Sequence, residues 1–560
     1  MSVLVIHQGN ENLQLEPSRE LTYSYRIGAG RILGRNCVNL NDAAALNRIS
    51  RELRDKYVSW IYGFNKEFIA SGLIWEETSL FFLSDLSNKR NELFDTYNTL
   101  SVLTLLKEAL DRVRIDAVLL DGVDQSFAKA VRSAFPCAEV QLRNPRPASV
   151  SLPRRVLADI RFCMLLTCVA VLNKVLGAPS KPRSGVKRRF FFSFFPQTFD
   201  DANVDIRYGG TVGTEDRYLV AMMADGMHQQ LGLIAYLKNQ IRIRGEKHVV
   251  IDNGIKISDL LLGLKIWWNV YRFNRDRTRS SDVCLGIDIS GYIYEELIWS
   301  TSRVARLIVF SRALERVVST LEISELVYIV FEYPLGRAIS GVLGRKFQEI
   351  KRVGFNHGEY SWRFVNYFLD KREPSVTPPY LEHCPIPDQV LAEDQLTAQI
   401  YKFNGYQRVE VMDVVERLHY LKKVVPNNDS SNALIVAGLH DGPDLLKAMI
   451  HKIRKDQLCN YFFRPHPRAR NSYLENIVDL PSNLTLDTSP IHEVMSQVGK
   501  VYLTYSGLGY EVATLGIQVV VVLIPGRIAW SKCIDAIERD HRAEGGSPLP
   551  IELFSPGDVV

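Results

Sequence analysis

Short apolar runs ending in small or acidic residues alternate with stretches of helical spacing along most of the chain. No other feature restricts the fold as much. "IDAVLLDG" (115–122), "KRRFFFSFFP" (187–196), "KHVVIDNG" (247–254) and "ELVYIVFEYP" (325–334) read as strands buried on both faces of a parallel sheet. Between and before them, "RISRELRDKYVSWIYGFNKEF" (48–68) and "YNTLSVLTLLKEALDRVR" (97–114) carry apolar residues at helical spacing. The opening "MSVLVIHQGNENLQL" has no basic leader and reads as a first strand. Such repetition predicts a doubly wound α/β architecture.

At 560 residues the chain exceeds what one core can hold. The break is expected at "KREPSVTPPYLEHCPIP" (371–387), where five prolines in seventeen residues forbid a regular element. Beyond it the alternation resumes with "DQVLAED" (388–394), "NALIVAGLHDG" (432–442), "LCNYFFRPHP" (458–467), "KVYLTYSGLG" (500–509) and "IQVVVVLIPG" (517–526), each expected as a strand of a C-terminal sheet. The expected layout is an N-terminal α/β region over 1–150, a basic amphipathic segment over 151–189, further α/β structure over 190–370, a linker over 371–387 and a C-terminal domain over 388–560.

The net charge of +5 is concentrated in one place. Nine basic residues against the single acid Asp159 lie between Arg154 and Arg189, giving +8 there and 5 − 8 = −3 for the remainder. Inside that stretch "FCMLLTCVAVL" (162–172) is an apolar run of eleven residues, short of the roughly 20 that a membrane-crossing helix needs. An apolar helix flanked by Arg and Lys suits a segment lying in the headgroup region of a membrane. A buried core helix followed by a solvated basic loop is the competing reading. Nucleic acid is not expected as a partner, because Phe190–Phe195 read as a buried strand and not as spaced stacking aromatics. The eight cysteines include no C-x-x-C pair, which points to reduced thiols in a cytoplasm and against a disulfide framework or a zinc site.

The carboxyl ends of the C-terminal strands share one character, and ligands of open α/β sheets collect at that edge. "IVAGLHDGPD" places Gly438, His440 and Asp441 before a helix that begins with a proline. "FFRPHPRAR" (462–470) holds His466 between two prolines, with Arg464 before it. "TYSGLGYEVATLG" presents Ser506 and Gly507 at a helix start with Glu511 behind them. An N-cap serine and a first-turn acid would explain the last pair without any ligand.

"FFRPHPRAR" and "LTYSGLGYEVATLGIQVVVV" resemble the donor half of bacterial GT-B glycosyltransferases, in the surface-carbohydrate group related to the capsule and lipopolysaccharide transferases of Kdo and nonulosonic acids. "LVYIVFEYPLGRAI" and "KRVGFNHGEYSWRFVNYF" are similar to the stretches that precede the linker in that group. The resemblance covers roughly residues 185–530. It implies a GT-B-like fold, two Rossmann-like domains facing a cleft, with 190–370 on the acceptor side. It also implies that Arg464 and His466 contact the donor phosphate, that Ser506 and Gly507 cap it, and that Glu511 holds the nucleotide sugar. Glu332 and His357 would face them across the cleft, with Glu359 as a second candidate base. A carboxylate at a strand end such as Glu332 also fits a base whose pKa burial raises. Where that group carries a Trp-Glu pair after the first glutamate, this chain has Leu335-Gly336, which removes a second acid from the expected site.

These readings give a glycosyltransferase with a nucleotide sugar, CMP-activated and acidic, as co-substrate and no cofactor. Its acceptor would be a lipid-linked glycan at the cytoplasmic face of the inner membrane, docked through Arg154–Arg189. The chain has no Asp-x-Asp pair and no H-E-x-x-H, so metal-independent transfer is expected. Two alternatives stand beside this: an inactive GT-B-like scaffold or glycan-binding protein, and a CDP-polyol phosphotransferase of the teichoic-acid type.

Overall fold

The computed structural model describes residues 2–9, 11–15, 21–34, 36–147, 152–176, 186–223, 232–243, 245, 247–277, 281–330, 334–358, 360–467, 469, 474, 480–539 and 548–556. Three parallel sheets, each flanked by helices, follow one another along the chain.

The first sheet contains β1 (Ser2–Gln8), β2 (Leu21–Ile27), β3 (Cys37–Asn39), β4 (Ala117–Asp121) and β5 (Glu139–Arg143) in the order β3-β2-β1-β4-β5. Its helices are α1 (Ala43–Ala70), α2 (Thr96–Ala109) and α3 (Gln125–Ala134). Asp42 starts α1 by accepting from the Ala45 amide at 2.9 Å, and Asp124 does the same for α3 from Phe127 at 2.7 Å. Leu46, Ile49, Leu53, Tyr57, Ile61, Phe64 and Phe68 recur every three or four residues and bury one face of α1.

A long helix, α4 (Leu152–Leu176), leads to the second sheet. This sheet comprises β6 (Arg188–Phe194), β7 (Arg217–Ala221), β8 (His248–Val250), β9 (Ile323–Ile329), β10 (Lys351–Phe355), β11 (Gln389–Ala392) and β12 (Val409–Val411), ordered β8-β7-β6-β9-β10-β11-β12. Helices α5 (Leu233–Arg242), α6 (Ile257–Arg277) and α7 (Ser290–Val318) belong to it. The third sheet, of β13 (Ala433–Val436), β14 (Tyr461–Arg464), β15 (Leu484–Leu486), β16 (Lys500–Leu503), β17 (Gln518–Val522) and β18 (Ile551–Phe554), runs β15-β14-β13-β16-β17-β18. It carries α8 (Gly442–Lys455), α9 (Leu508–Ala513) and α10 (Lys532–Glu538).

The doubly wound architecture is the expected one, and the described residues of 1–150 form a sheet of their own. Two expectations are corrected. The strand at 389–392 pairs with β10, so 388–411 completes the second sheet instead of opening the C-terminal domain. The apolar run at 162–172 is the middle of a 25-residue helix, because Arg155 stacks over Trp299 and Asp159 pairs with Arg306 at 2.7 Å, which keeps the charged flank helical. Over Leu152–Lys174 that helix is long and apolar enough to cross a membrane by length and composition.

The first two sheets share one continuous hydrophobic core, whereas the third has a separate cluster on each face. Polar ties fasten the third domain to the others: Arg363 to Asp535 at 2.6 Å, Arg527 to Asp95 at 2.5 Å, and the Ile528 amide to Asn98 at 3.0 Å.

Candidate functional site

In the third sheet the chain adds β14 and β15 on one side of β13 and β16, β17 and β18 on the other. The direction reverses between β13 and β16, and the crevice beyond the carboxyl ends of two such strands is where open α/β sheets take ligands. The residues leaving those ends are Gly438, His440 and Asp441 on one side and Thr504, Tyr505, Ser506 and Gly507 on the other.

A cavity of about 210 Å³ lies there. His440, Asp441 and Thr504 line it from the third domain, and Asn91, Glu92 and Asp95 line it from the first. A side chain at Gly438 would collide with the Tyr505 ring, so glycine lets the two strand ends close together. The Tyr505 hydroxyl then accepts from the His440 amide at 3.0 Å, and its ring stacks on Trp530 at 3.8 Å. Trp530 in turn stacks on Phe364 of the second domain at 4.3 Å.

Asp441 occupies the N-cap position of the 14-residue α8, yet its side chain does not cap that helix. Its Oδ2 accepts from the Thr504 hydroxyl across the crevice, while Oδ1 is buried without a protein hydrogen-bond partner. Desolvation pushes its carboxyl up to about 7; the backbone amides of Gly438 and Asp441 lower it and the charge on Asp444 adds a smaller rise. Glu92 faces it from the first domain with a side chain only 10% exposed. One Glu92 oxygen pairs with the Arg90 Nε at 2.5 Å, and Oε2 is buried with no hydrogen-bond partner.

Parallel register sets His466 level with this crevice. Val436 pairs with both Arg464 and Leu503, so His466, Gly438 and Tyr505 each stand two residues beyond their strands. His466 lies one strand outward, and it does not line the cavity. The guanidinium of Arg464 is committed to Asp487 at 2.5 Å and to the Ser489 carbonyl at 2.7 Å. Ser506 accepts through its carbonyl from the Gly509 amide at 3.0 Å, and Gly507, not Ser506, holds the cap position of α9, a helix of six residues. Glu511 is buried and accepts from the Tyr420 hydroxyl, in the segment that joins the second sheet to the third. His357 follows β10 in the second domain and does not line the cavity; Glu332 and Glu359 lie outside the described residues.

The structure therefore brings His440 and Asp441 together beside Gly438, with His466, Ser506 and Gly507 at the same sheet edge. Across the cavity stand first-domain residues that the sequence reading did not single out, Asn91, Glu92 and Asp95, and from the end of β17 Arg527 and Trp530. The polar run "NELFDTYN" (91–98) immediately ahead of α2, and the fourth strand end "LIPGRIAW" (523–530), were the available signals. Among the described residues no group of three His, Cys, Asp or Glu side chains is placed to hold a metal ion.

No protein-family model matches the chain, and no curated protein matches it. Among solved structures it is similar to the calicheamicin glycosyltransferase CalG4, at 13% identity over 67% of this chain and 87% of that one, with a TM-score of 0.36. It is also similar to UDP-GlcNAc 2-epimerase from Neisseria meningitidis bound to UDP-GlcNAc, at 12% identity over 66% and 88% with a TM-score of 0.36. The wall teichoic acid polymerase TagF overlaps at 12% identity over 66% and 78% with a TM-score of 0.28. Overlaps of this size carry no inference about chemistry.

Proposed function

We propose that the chain is a glycosyltransferase. It takes a sugar from a nucleotide-sugar donor at the carboxyl edge of the third sheet and passes it to a hydroxyl entering between the first and third domains. One observation carries this reading: the switch-point cavity holds a carboxylate, Asp441, whose burial brings its pKa to about 7 and whose second oxygen has no protein partner. A base poised near the working pH is what activation of an acceptor hydroxyl requires. The acceptor oxygen attacks the anomeric carbon as its proton passes to Asp441 Oδ1, and the bond from that carbon to the donor phosphate oxygen breaks. Thr504 orients the carboxylate through Oδ2. His466, one strand away, is proposed to receive the charge of the departing phosphate.

The donor we favour is neutral or amino-substituted. Glu92, Asp95, Asp441 and Asp444 all line the cavity, and Arg527 is engaged by Asp95. We place the sugar among these acids and the donor phosphates outside them toward His466, so a sugar carboxylate would be repelled and the CMP-activated acidic donor suggested by the sequence resemblance is the less favourable partner. The acceptor is proposed to be a lipid-carried glycan at the cytoplasmic face of the inner membrane, and transfer to need no metal.

The test is turnover of a panel of UDP-, CMP- and CDP-activated donors with wild type and Asp441→Asn, with and without chelator. Transfer from a UDP-hexose or UDP-hexosamine that survives chelation and is lost in Asp441→Asn is the expected result. Transfer only from CDP-glycerol would replace glycosyl transfer by polyol-phosphate transfer, and no turnover with any donor would leave a binding scaffold.

A further inference from the structure

We infer that helices α4, α5 and α6 form one surface that docks on an anionic phospholipid bilayer, with the groove between α4 and α6 receiving a lipid hydrocarbon chain. A globular protein exposes large apolar side chains singly; contiguous apolar area marks a contact surface. Here Leu157, Ile160 and Met164 of α4, Ile234 and Ile241 of α5, and Leu261, Leu264 and Trp268 of α6 are each at least half exposed, at 50–73%. The three helices are neighbours, since α4 packs against both α5 and α6.

Between α4, α6 and α7 runs a groove of about 420 Å³ walled by Ile160, Met164, Leu260 and Leu264. Its acid, Asp159, is neutralised on the groove floor by Arg306 at 2.7 Å, the Trp267 indole N–H at 3.0 Å and the Ser302 hydroxyl at 2.5 Å. An apolar trough with its only carboxylate already satisfied accepts a chain that brings no polar groups.

Charge decides the occupant. The exposed cations on these helices are Arg154, Arg161 and Lys174 on α4, Lys238 and Arg242 on α5, and Lys265, Arg272 and Arg275 on α6. The one exposed acid on them is Asp276, paired with Arg275 at 3.1 Å. A face of cations interleaved with apolar side chains and nearly free of acids is complementary to anionic headgroups over acyl chains. It would be repelled by a second copy of itself. Nor does α4 leave the protein to span the bilayer: Phe162, Leu166, Val169 and Ala170 are buried in the core shared by the first two sheets. The surface is also wider than the basic stretch 154–189, because α5 and α6 supply five of these eight apolar side chains and five of the eight cations.

This inference does not rest on the transfer reading, because membrane binding is measured without turnover. The full-length protein is floated with phosphatidylcholine vesicles and with vesicles containing phosphatidylglycerol. Binding to the anionic vesicles only is expected, with a blue shift of tryptophan emission and quenching by acyl-chain bromines that Trp268→Phe removes. Arg161→Glu with Lys265→Glu should lower partitioning on the order of tenfold or more, since each basic residue near such a surface contributes about fivefold. Leu264→Asp should abolish binding while circular dichroism and thermal unfolding stay those of wild type. Equal binding to neutral vesicles, no flotation at all, or resistance to alkaline extraction would each overturn the proposal. So would a dimer that Leu264→Asp dissociates in the absence of vesicle binding.

Discussion

The first and third sheets repeat one topology, and their switch points are finished in opposite ways. In the first sheet the reversal falls between β1 and β4, and the side chains that leave those strands are His7 and Asp121. They sit 2.7 Å apart, both buried, and His7 Nε2 meets the Glu11 carbonyl at 2.8 Å. Asn144 donates to the other Asp121 oxygen at 2.8 Å, and Arg146 reaches the Gln8 carbonyl at 2.7 Å. Gly122, at φ +68°, has no room for a side chain against that same carbonyl. Among the described residues, each of these polar side chains has a protein partner. In the third sheet Asp441 and Glu92 each keep a buried oxygen without a protein partner beside an open cavity. A topological switch point is thus an opportunity; what makes it a site is polarity left unsatisfied where a ligand can enter.

The comparison breaks most visibly if Asp121 proves catalytic. Removing one member of a buried pair typically costs about 3 kcal/mol or more, because the other is left uncompensated. Asp121→Ala is therefore expected to lower urea-unfolding stability by roughly that amount, while the folded fraction turns over donor at the wild-type rate. A collapse of turnover with stability intact would make the first switch point a second active site.

Asp441→Asn is expected to do the reverse, losing about a hundredfold or more in kcat with little change in unfolding. The pH profile sharpens it. The base must be ionised, so kcat/KM should climb with pH along a limb near 7, and that limb should be absent in the variant. Stability carries the opposite sign. An unfolded aspartate titrates at about 3.9, so this contribution to stability is complete below that value, falls while the folded chain alone holds the proton, and is gone once pH has risen through 7.

Much of this organisation was legible in the sequence, and the failures have physical causes. "VYLTYSG" and "IVAGLHDG" announced buried strands with ligand-facing ends because continuous apolar runs and glycines are local signals. "DQVLAED" was equally legible as a strand, but which sheet it joins is decided by pairing with Val353–Phe355, and parallel strands carry no local mark of their neighbour. The prolines of 371–387 do forbid regular structure at length, yet the segment is held between the first two domains, with the Tyr380 carbonyl accepting from the Ser79 amide at 3.0 Å and the Tyr380 hydroxyl accepting from Arg352 at 3.3 Å. Arg464 looked free to bind an anion because its partner, Asp487, lies 23 residues away on the neighbouring strand's exit. Glu92 was invisible because nothing in "NELFD" says that a domain more than three hundred residues later will close over it.

His466→Ala is a smaller perturbation. The residue stands at the level of the crevice but outside the cavity wall, so loss of a contact to the departing phosphate should cost about tenfold in kcat, with the acceptor KM unchanged. Normal kinetics would confine donor binding to the β13 and β16 ends.

The smallest effect, and the closest test of what separates the two switch points, is expected at Glu92. Its Oε2 is buried without a hydrogen bond, a situation that typically costs about 1–3 kcal/mol in the unliganded protein. A ligand hydroxyl donating to that oxygen would recover part of this cost, so the wild type gives up some stability in exchange for binding. Glu92→Gln keeps the shape and removes the charge. It should raise the acceptor KM by about three- to tenfold with kcat nearly unchanged, and change the stability of the empty protein by no more than about 1 kcal/mol, because relief of the unpaired Oε2 offsets the charge that the buried Arg90 loses. No comparable gain is available in the first sheet, where both Asp121 oxygens already have partners. If Glu92→Gln instead destabilised the protein and left KM alone, the carboxylate would be serving the fold through Arg90, and the two switch points would differ only in size.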